Sequence, residues 1–305
     1  MIAQLRHWIG AGKPGRVLST MVPMVWMTLF FLVPFLIVLK ISFSEAILAR
    51  PPYAPMIEWT QEWLLSIRLH LANYRFLFTD SLYVDSFLYS VKIAAISTSL
   101  CLVLGYPMAL GIARAPPARR NLLLMLIILP FWTSFLLRVY AWIGLLKDDG
   151  LINNLLVWVH LVSSPIHMVN TSFAVYVGIV YSYLPFMILP LYSNLEKHDA
   201  TLLEAAADLG APPWKTFLRV TWPLSVPGVI AGTMLVFIPA VGEYVIPTLL
   251  GSANQVMIGR VLSDEFFENR DWPVASAVAI LVLLLLFIPI IVFQRYNRRE
   301  LESGI

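Results

Sequence analysis

Glu243 is the one acidic residue inside a long apolar run, Val236-Phe237-Ile238-Pro239-Ala240-Val241-Gly242-Glu243-Tyr244. A carboxylate at bilayer depth costs about 2.5–3.5 kcal/mol on insertion scales, so it needs a polar interior, a pathway or a hydrogen-bonding partner. Two readings stand: a buried interhelical hydrogen bond, or an anionic contact for a cation crossing the membrane. Pro239 at i−4 and Gly242 open the backbone on that face. Trp132, Tyr140, Tyr181, Tyr183 and Tyr244 offer π-faces to an alkylammonium ion, and serve equally as packing or interface aromatics. Catalytic motifs are missing: the sequence has no His-Glu-x-x-His and no Gly-x-Ser-x-Gly. The single cysteine, Cys101, allows no internal disulfide and no cysteine-rich metal site, and reads as a small core residue facing helix or lipid. His160 and His167 have no Cys or carboxylate at ligand spacing. Gly10-Ala11-Gly12-Lys13-Pro14-Gly15 lacks the strand, spacing and Ser/Thr of a phosphate loop and reads as a flexible basic leader.

The elements that must position these residues are membrane spans. Of 305 residues 59% are hydrophobic and only 13% charged, and the mean hydropathy is +0.78. Soluble domains are about a quarter charged, so the bilayer is the expected solvent. At about 20 residues per span, six helices are expected at 18–42, 86–113, 121–146, 171–192, 224–250 and 272–294. The first apolar run is too long for a cleavable signal and reads as an uncleaved anchor. Twelve bases fall on one set of connections: Arg6, Lys13, Arg16, Arg114, Arg119, Arg120, Lys197, Lys215, Arg219, Arg295, Arg298 and Arg299. Six fall on the other: Arg50, Arg68, Arg75, Lys147, Arg260 and Arg270. The positive-inside rule then puts both termini and residues 193–223 in the cytoplasm. The opposite connections carry eleven carboxylates: Glu45, Glu58, Glu62, Asp80, Asp85, Asp148, Asp149, Asp264, Glu265, Glu268 and Asp271. Such a mouth favours cations, although a solvated surface or a docking face for a basic partner explains it equally. Within the outer loops, 43–85 is expected to hold a short interfacial helix and 147–170 a short amphipathic helix over Leu151, Leu155, Leu156 and Val159.

Between two apolar runs lies a polar segment of different character. Thr201-Leu202-Leu203-Glu204 has the Thr-x-x-Glu pattern of a capping box, so a helix is expected to start with Thr201 as N-cap and Glu204 at its third position. Gly210 is the natural left-handed stop. Pro212-Pro213 then pre-sets a second short helix from Trp214 to Val220. Two helices hinged at a glycine and held outside the membrane make a projecting knob.

Glu204, Ala205, Ala206, Gly210 and Pro223 resemble the EAA loop of ABC importer permease subunits, whose pattern is Glu-Ala-Ala, three residues, Gly, nine residues, Ile-x-Leu-Pro. Val220 stands for the isoleucine and Trp222 for the leucine. Residues 231–244, 257–262 and 269–276 resemble the polyamine branch of these permeases, with likeness to the first permease subunit of putrescine importers. The resemblance implies an all-α, six-span permease fold, one transmembrane domain over 1–305 with its core at about 70–294 and a cytoplasmic coupling loop at 193–223. It implies multi-pass residence in a bacterial inner membrane. It further implies a second homologous permease, two ATPase subunits that hold the ATP and Mg, an outer substrate-binding protein, a polyamine substrate and lipid contact. No cofactor, enzymatic activity or nucleic acid is implied for this chain. Glu204, Ala205, Ala206 and Gly210 would dock the ATPase. Glu243, Tyr244, Trp132, Tyr140 and Tyr183 are the candidate substrate-pathway residues. An importer permease for another small solute, or an ion-coupled secondary transporter, are the alternatives.

Overall fold

The computed structural model describes residues 14–55, 57–59, 65–67 and 69–303. The basic leader up to Lys13 and the aromatic Trp63 lie outside the described residues. In chain order the elements are α1 (Pro14–Met27), α2 (Val33–Ser42), strands β1 (Ile57–Trp59) and β2 (Leu65–Ile67), α3 (Ala72–Thr79), α4 (Ser81–Ala113), α5 (Pro117–Ile128), α6 (Phe135–Leu146) and α7 (Leu151–Trp158). There follow α8 (Ser172–Leu195), α9 (Ala200–Asp208), α10 (Pro213–Thr216), α11 (Trp222–Val241), α12 (Val245–Leu250), α13 (Ile258–Ser263) and α14 (Trp272–Ser303). Among the described residues five stretches are each long and apolar enough to cross a membrane: Ser19–Ser42, Ser81–Ala113, Ser172–Leu195, Pro213–Val241 and Trp272–Ile291.

The third expected span, 121–146, is not one straight helix. Pro117–Trp132 and Phe135–Trp158 meet at 91°. A 3₁₀ turn at Leu129–Trp132 holds Pro130, and Thr133 and Ser134 leave helical geometry, with ψ of 153° and 136°. The Thr133 hydroxyl donates to the Pro130 carbonyl at 2.8 Å. Both sides of this corner are equally apolar, so hydropathy reads straight through it.

Two π turns have a common cause. In Thr28–Leu32 the last-turn donor is Val33 N–H, which reaches back to Thr28 O. In Phe217–Thr221 it is Trp222 N–H, which reaches Phe217 O. Each donor immediately precedes a proline, Pro34 and Pro223. Proline offers no N–H to the carbonyl four residues back, and widening one turn re-pairs the backbone.

The described residues fall into two compact units, the larger being 79–264 with 282–305 and the smaller 1–78 with 265–281. In the larger, α4, α8 and α11 pack on one another. One apolar cluster gathers Ile93, Val175, Ile179, Val241, Ile246 and Leu250, and a second gathers Cys101, Tyr106, Met187, Ile188, Leu191 and Val236. Cys101 is fully buried, as its apolar surroundings suggested. The amphipathic helix expected in 147–170 is α7. Asn153 staples its loop, donating to Lys147 O and Ile166 O and accepting from Ile166 N–H at 2.8–3.0 Å. His167 pairs with Asp148 at 3.2 Å.

In the smaller unit the expected interfacial helix is only part of what 43–85 forms. β1 and β2 pair antiparallel, Glu58 opposite Ser66, and the helix proper is α3. Buried Asn73 on α3 donates to Ser42 O and Ser44 O at 3.0 and 2.8 Å, anchoring it to the end of α2.

Candidate functional site: a polar helix pair and a buried carboxylate at a broken span

The helix pair begins earlier than its sequence pattern suggested. Asp199, not Thr201, is the N-cap of α9: its carboxylate accepts Thr201 N–H at 2.9 Å. That hydrogen bond holds the Asp199 carboxyl below its usual range. Aspartate at this position competes well because it is the stronger cap and lies just outside the helix. The consequence for Glu204 is direct. With Thr201 N–H already taken, Glu204 closes no capping box, and its exposed carboxylate has no hydrogen bond or ion pair among the described residues.

Gly210 ends α9 as the sequence indicated. Its φ is +70°, Gly210 N–H bonds Ala207 O at 2.8 Å and Ala211 N–H bonds Ala206 O at 3.0 Å. This 5→2 and 6→1 pair is the Schellman arrangement, which needs a residue at ease in left-handed conformation. The second helix differs from expectation. Instead of a separate piece over Trp214–Val220, α10 runs through the π turn into α11, so that Pro213–Val241 is one rod. Around the hinge Leu209 is 87% exposed and Trp214 61%, while Ala205 is exposed and Ala206 half-buried. A polar helix pair that also displays large apolar side chains is a surface suited to a protein partner.

Glu243 lies at a break rather than inside a span. α11 stops at Val241, and Gly242-Glu243-Tyr244 lead into α12. The reason is visible in the hydrogen bonds of the first turn of α12. Val245 N–H and Ile246 N–H both approach Glu243 Oε1, at 3.1 and 3.4 Å. Pro247 has no N–H to place, and Thr248 N–H reaches Tyr244 O at 3.2 Å. The free donors of a helix start are thus satisfied where no water supplies acceptors. Tyr183 on α8 donates its hydroxyl to Glu243 Oε2 at 2.5 Å. Glu243 is 7% exposed, and all three donors converge on its carboxylate. Close backbone contact seals the break: a Cβ at Gly259 on α13 would lie 2.7 Å from Glu243 O and closer still to Gly242 O.

The structure brings together Glu243, Tyr183 and, by chain continuity, Tyr244, which is 41% exposed. Trp132 and Tyr140 belong to the bent pair, 76% and 56% exposed; neither stacks on nor hydrogen-bonds to Glu243 or Tyr183 among the described residues. Ring contacts do lead from Tyr183 to Phe186 at 6.0 Å and on to Phe131 at 5.3 Å. Arg138 lies over Phe131, 5.2 Å from its centroid. Sequence reasoning passed over Phe131 and Phe186 and took Arg138 only as a base near or within a span end; the signal was one arginine within the third apolar run.

Several apolar helices with a polar helix pair set between two of them define a polytopic membrane architecture. Residues 101–302 match the binding-protein-dependent transport system inner membrane component, and the chain belongs to that family. It is 41% identical over 273 residues to the spermidine/putrescine transport system permease protein PotB of Haemophilus influenzae, covering 90% of this chain and 91% of that one. Against PotB of Escherichia coli K12 it is 40% identical over 273 residues, covering 90% and 94%. Both names pair spermidine with putrescine, whereas the likeness read from the sequence was to putrescine importers. These relatives are permeases rather than enzymes, and an ion-coupled secondary transporter does not fit a binding-protein-dependent family. Among solved structures, a chain of a bacterial ABC transporter involved in the import of the acidic polysaccharide alginate superposes with a TM-score of 0.68. Its identity is 16% and it covers 96% of this chain and 99% of that one, a likeness of fold alone.

Proposed function

We propose that this chain is one permease subunit of an ATP-driven polyamine importer, carrying putrescine in preference to spermidine. The observation that carries the reading is identity of about 40% to permeases named for these two polyamines, sustained over 90% of the chain. The preference for putrescine rests on less: the likeness of residues 231–276 and the surplus of outer carboxylates. The chain acts as a single permease domain beside a second homologous permease, with both termini and the 193–223 loop in the cytoplasm. Glu204, Ala205, Ala206 and Gly210 dock one of two ATPase subunits, which hold the ATP and Mg. An outer binding protein delivers the substrate. Tyr244, Trp132 and Tyr140 offer exposed rings to an alkyl diammonium ion, while Glu243, hydrogen-bonded by Tyr183, supplies the negative charge next to Tyr244 in the chain. The test is uptake of labelled putrescine and spermidine into liposomes holding the complete complex and its binding protein. ATP-dependent uptake of both, putrescine the faster, is expected. A complex that hydrolyses ATP yet takes up neither ends the polyamine assignment and favours another small solute.

A further inference from the structure

The two helices of the 193–223 loop are seated differently. The leading helix α9 lies beside a cavity of about 250 Å³ lined by Leu110, Arg114, His198, Leu203, Thr221 and Leu224 among others. Thr221 is 3% exposed and its hydroxyl has no hydrogen-bond partner among the described residues. At this end of α8 the ties are peripheral: Arg120 to Glu196 at 2.6 Å, and the His198 ring to Leu224 O at 3.2 Å.

The trailing helix is clamped. Tyr106 on α4, 6% exposed, lies with its ring edge-on to Phe217 at 5.6 Å and tilted over Trp222 at 5.3 Å. Its hydroxyl is 2.8 Å from Ser225 Oγ. Ser225 Oγ gives its own proton to Trp222 O at 2.8 Å, so Tyr106 must be the donor in the pair. The resulting chain, Tyr106 O–H to Ser225 Oγ to Trp222 O, fixes α4 to the base of the rod Pro213–Val241. Aromatic edge contacts and a buried hydroxyl chain are directional and resist sliding, unlike aliphatic packing. Trp222 occupies the position that is leucine in the loop pattern, and here it completes this three-ring contact.

We propose that Tyr106 is the positioning residue through which movement of the 193–223 loop enters the long span Ser81–Ala113. The inference rests on the reading of that loop as the ATPase-docking element. A displaced rod carries Trp222 and Ser225 with it, and Tyr106 obliges α4 to follow; α9, beside its cavity, yields without moving α4.

Tyr106→Phe and Ser225→Ala each remove the hydroxyl link and leave the rings in place. The complete complex is reconstituted and three quantities are read: ATPase subunits retained, ATP hydrolysed, and substrate transported per ATP. Both variants are expected to retain the ATPases, Ser225→Ala melting lower because it strands the buried Tyr106 hydroxyl, while in both transport per ATP falls about fivefold, the worth of one buried hydrogen bond. The double variant should fall no further than either single one, because both break the same link. Unchanged transport per ATP in intact complexes, or additive losses, overturns the role of Tyr106 and leaves docking untouched. So does a loss of thermal stability with transport per ATP unchanged. A parent complex whose ATPases bind elsewhere than the loop overturns both readings together.

Discussion

A carboxylate that receives three donors at a broken helix behaves differently from one that waits for a ligand, and substitutions at Glu243 separate the two. Tyr183→Phe strands one carboxylate oxygen and is expected to cost about 1–3 kcal/mol. Glu243→Gln still accepts from Val245 and Ile246 N–H through its carbonyl, and its amide can donate to a turned Tyr183 hydroxyl, so it loses only charge assistance. Glu243→Ala strands all three donors and is expected to be the most damaging. Thermal unfolding of the purified chain gives the order. If Glu243→Gln assembles and melts normally yet abolishes uptake, Glu243 contacts substrate as well as capping the helix. The residue itself was conspicuous in sequence as a lone acid in an apolar run. Tyr183 was singled out beside it for its ring, but the hydrogen bond between them was not legible, because the two are sixty positions apart. Asp199 was missed for a different reason: two cap-forming residues stand within three positions, and pattern alone favoured Thr201. Its carboxyl is held below the usual range by Thr201 N–H, so the cap is fully formed above the unfolded-state pKa. It is lost as pH falls through the lower folded value. Exchange protection at Thr201 should decline on acidification in the parent, be low at every pH in Asp199→Ala, and be pH-independent in Asp199→Asn.

At the scale of elements, apolar run length located the spans well, since each needs about 20 residues without charge. What it could not locate were breaks flanked by apolar residues on both sides, at Thr133–Ser134 and at Gly242–Tyr244. Nor did it join the loop's second helix to the following span, because Pro223 reads as a stop when a π turn in fact carries the helix past it. The stop at Gly210 was legible because glycine after Asp208-Leu209 has a single backbone meaning. A Cβ there would meet nothing within 4 Å, so substitution tests conformation alone. Gly210→Val must hold a β-branched residue at φ +70°, a genuine outlier, whereas asparagine tolerates that region. Gly210→Asn is expected to keep ATPase co-purification and transport near the parent level, and Gly210→Val to lose most of both. Equal behaviour of the two variants would remove the hinge from the docking reading.

The whole chain presents much apolar surface to its surroundings: Leu88 is 65% exposed, Val103 69% and Leu137 66%. That is the expected outer face of helices in lipid or against other subunits. Of the carboxylates on the acidic connections, Asp80, Asp148, Asp264, Glu265 and Asp271 are engaged locally as caps or pairs, which positions them; a bond from a neutral N–H leaves the charge in place. Arg120 and Arg260 are likewise paired, with Glu196 and Asp264, and the orientation argument uses the count of Lys and Arg, which pairing does not change. We propose, from twelve bases on one set of connections against six on the other, that 193–223 lies inside and 43–85, 147–170 and 251–271 outside. Ser193 and Ala253 are both exposed, and buried Cys101 is the only native thiol. In a Cys101→Ala background, Ala253→Cys should react with an impermeant maleimide in intact cells. Ser193→Cys should react only after permeabilisation. The reverse pattern would turn the chain over and move the EAA-like loop away from the compartment that holds ATP. Equal labelling of both in intact cells would contradict any fixed topology with an odd number of crossings between them, and the Pro213–Val241 span would then have to be re-read as a re-entrant element.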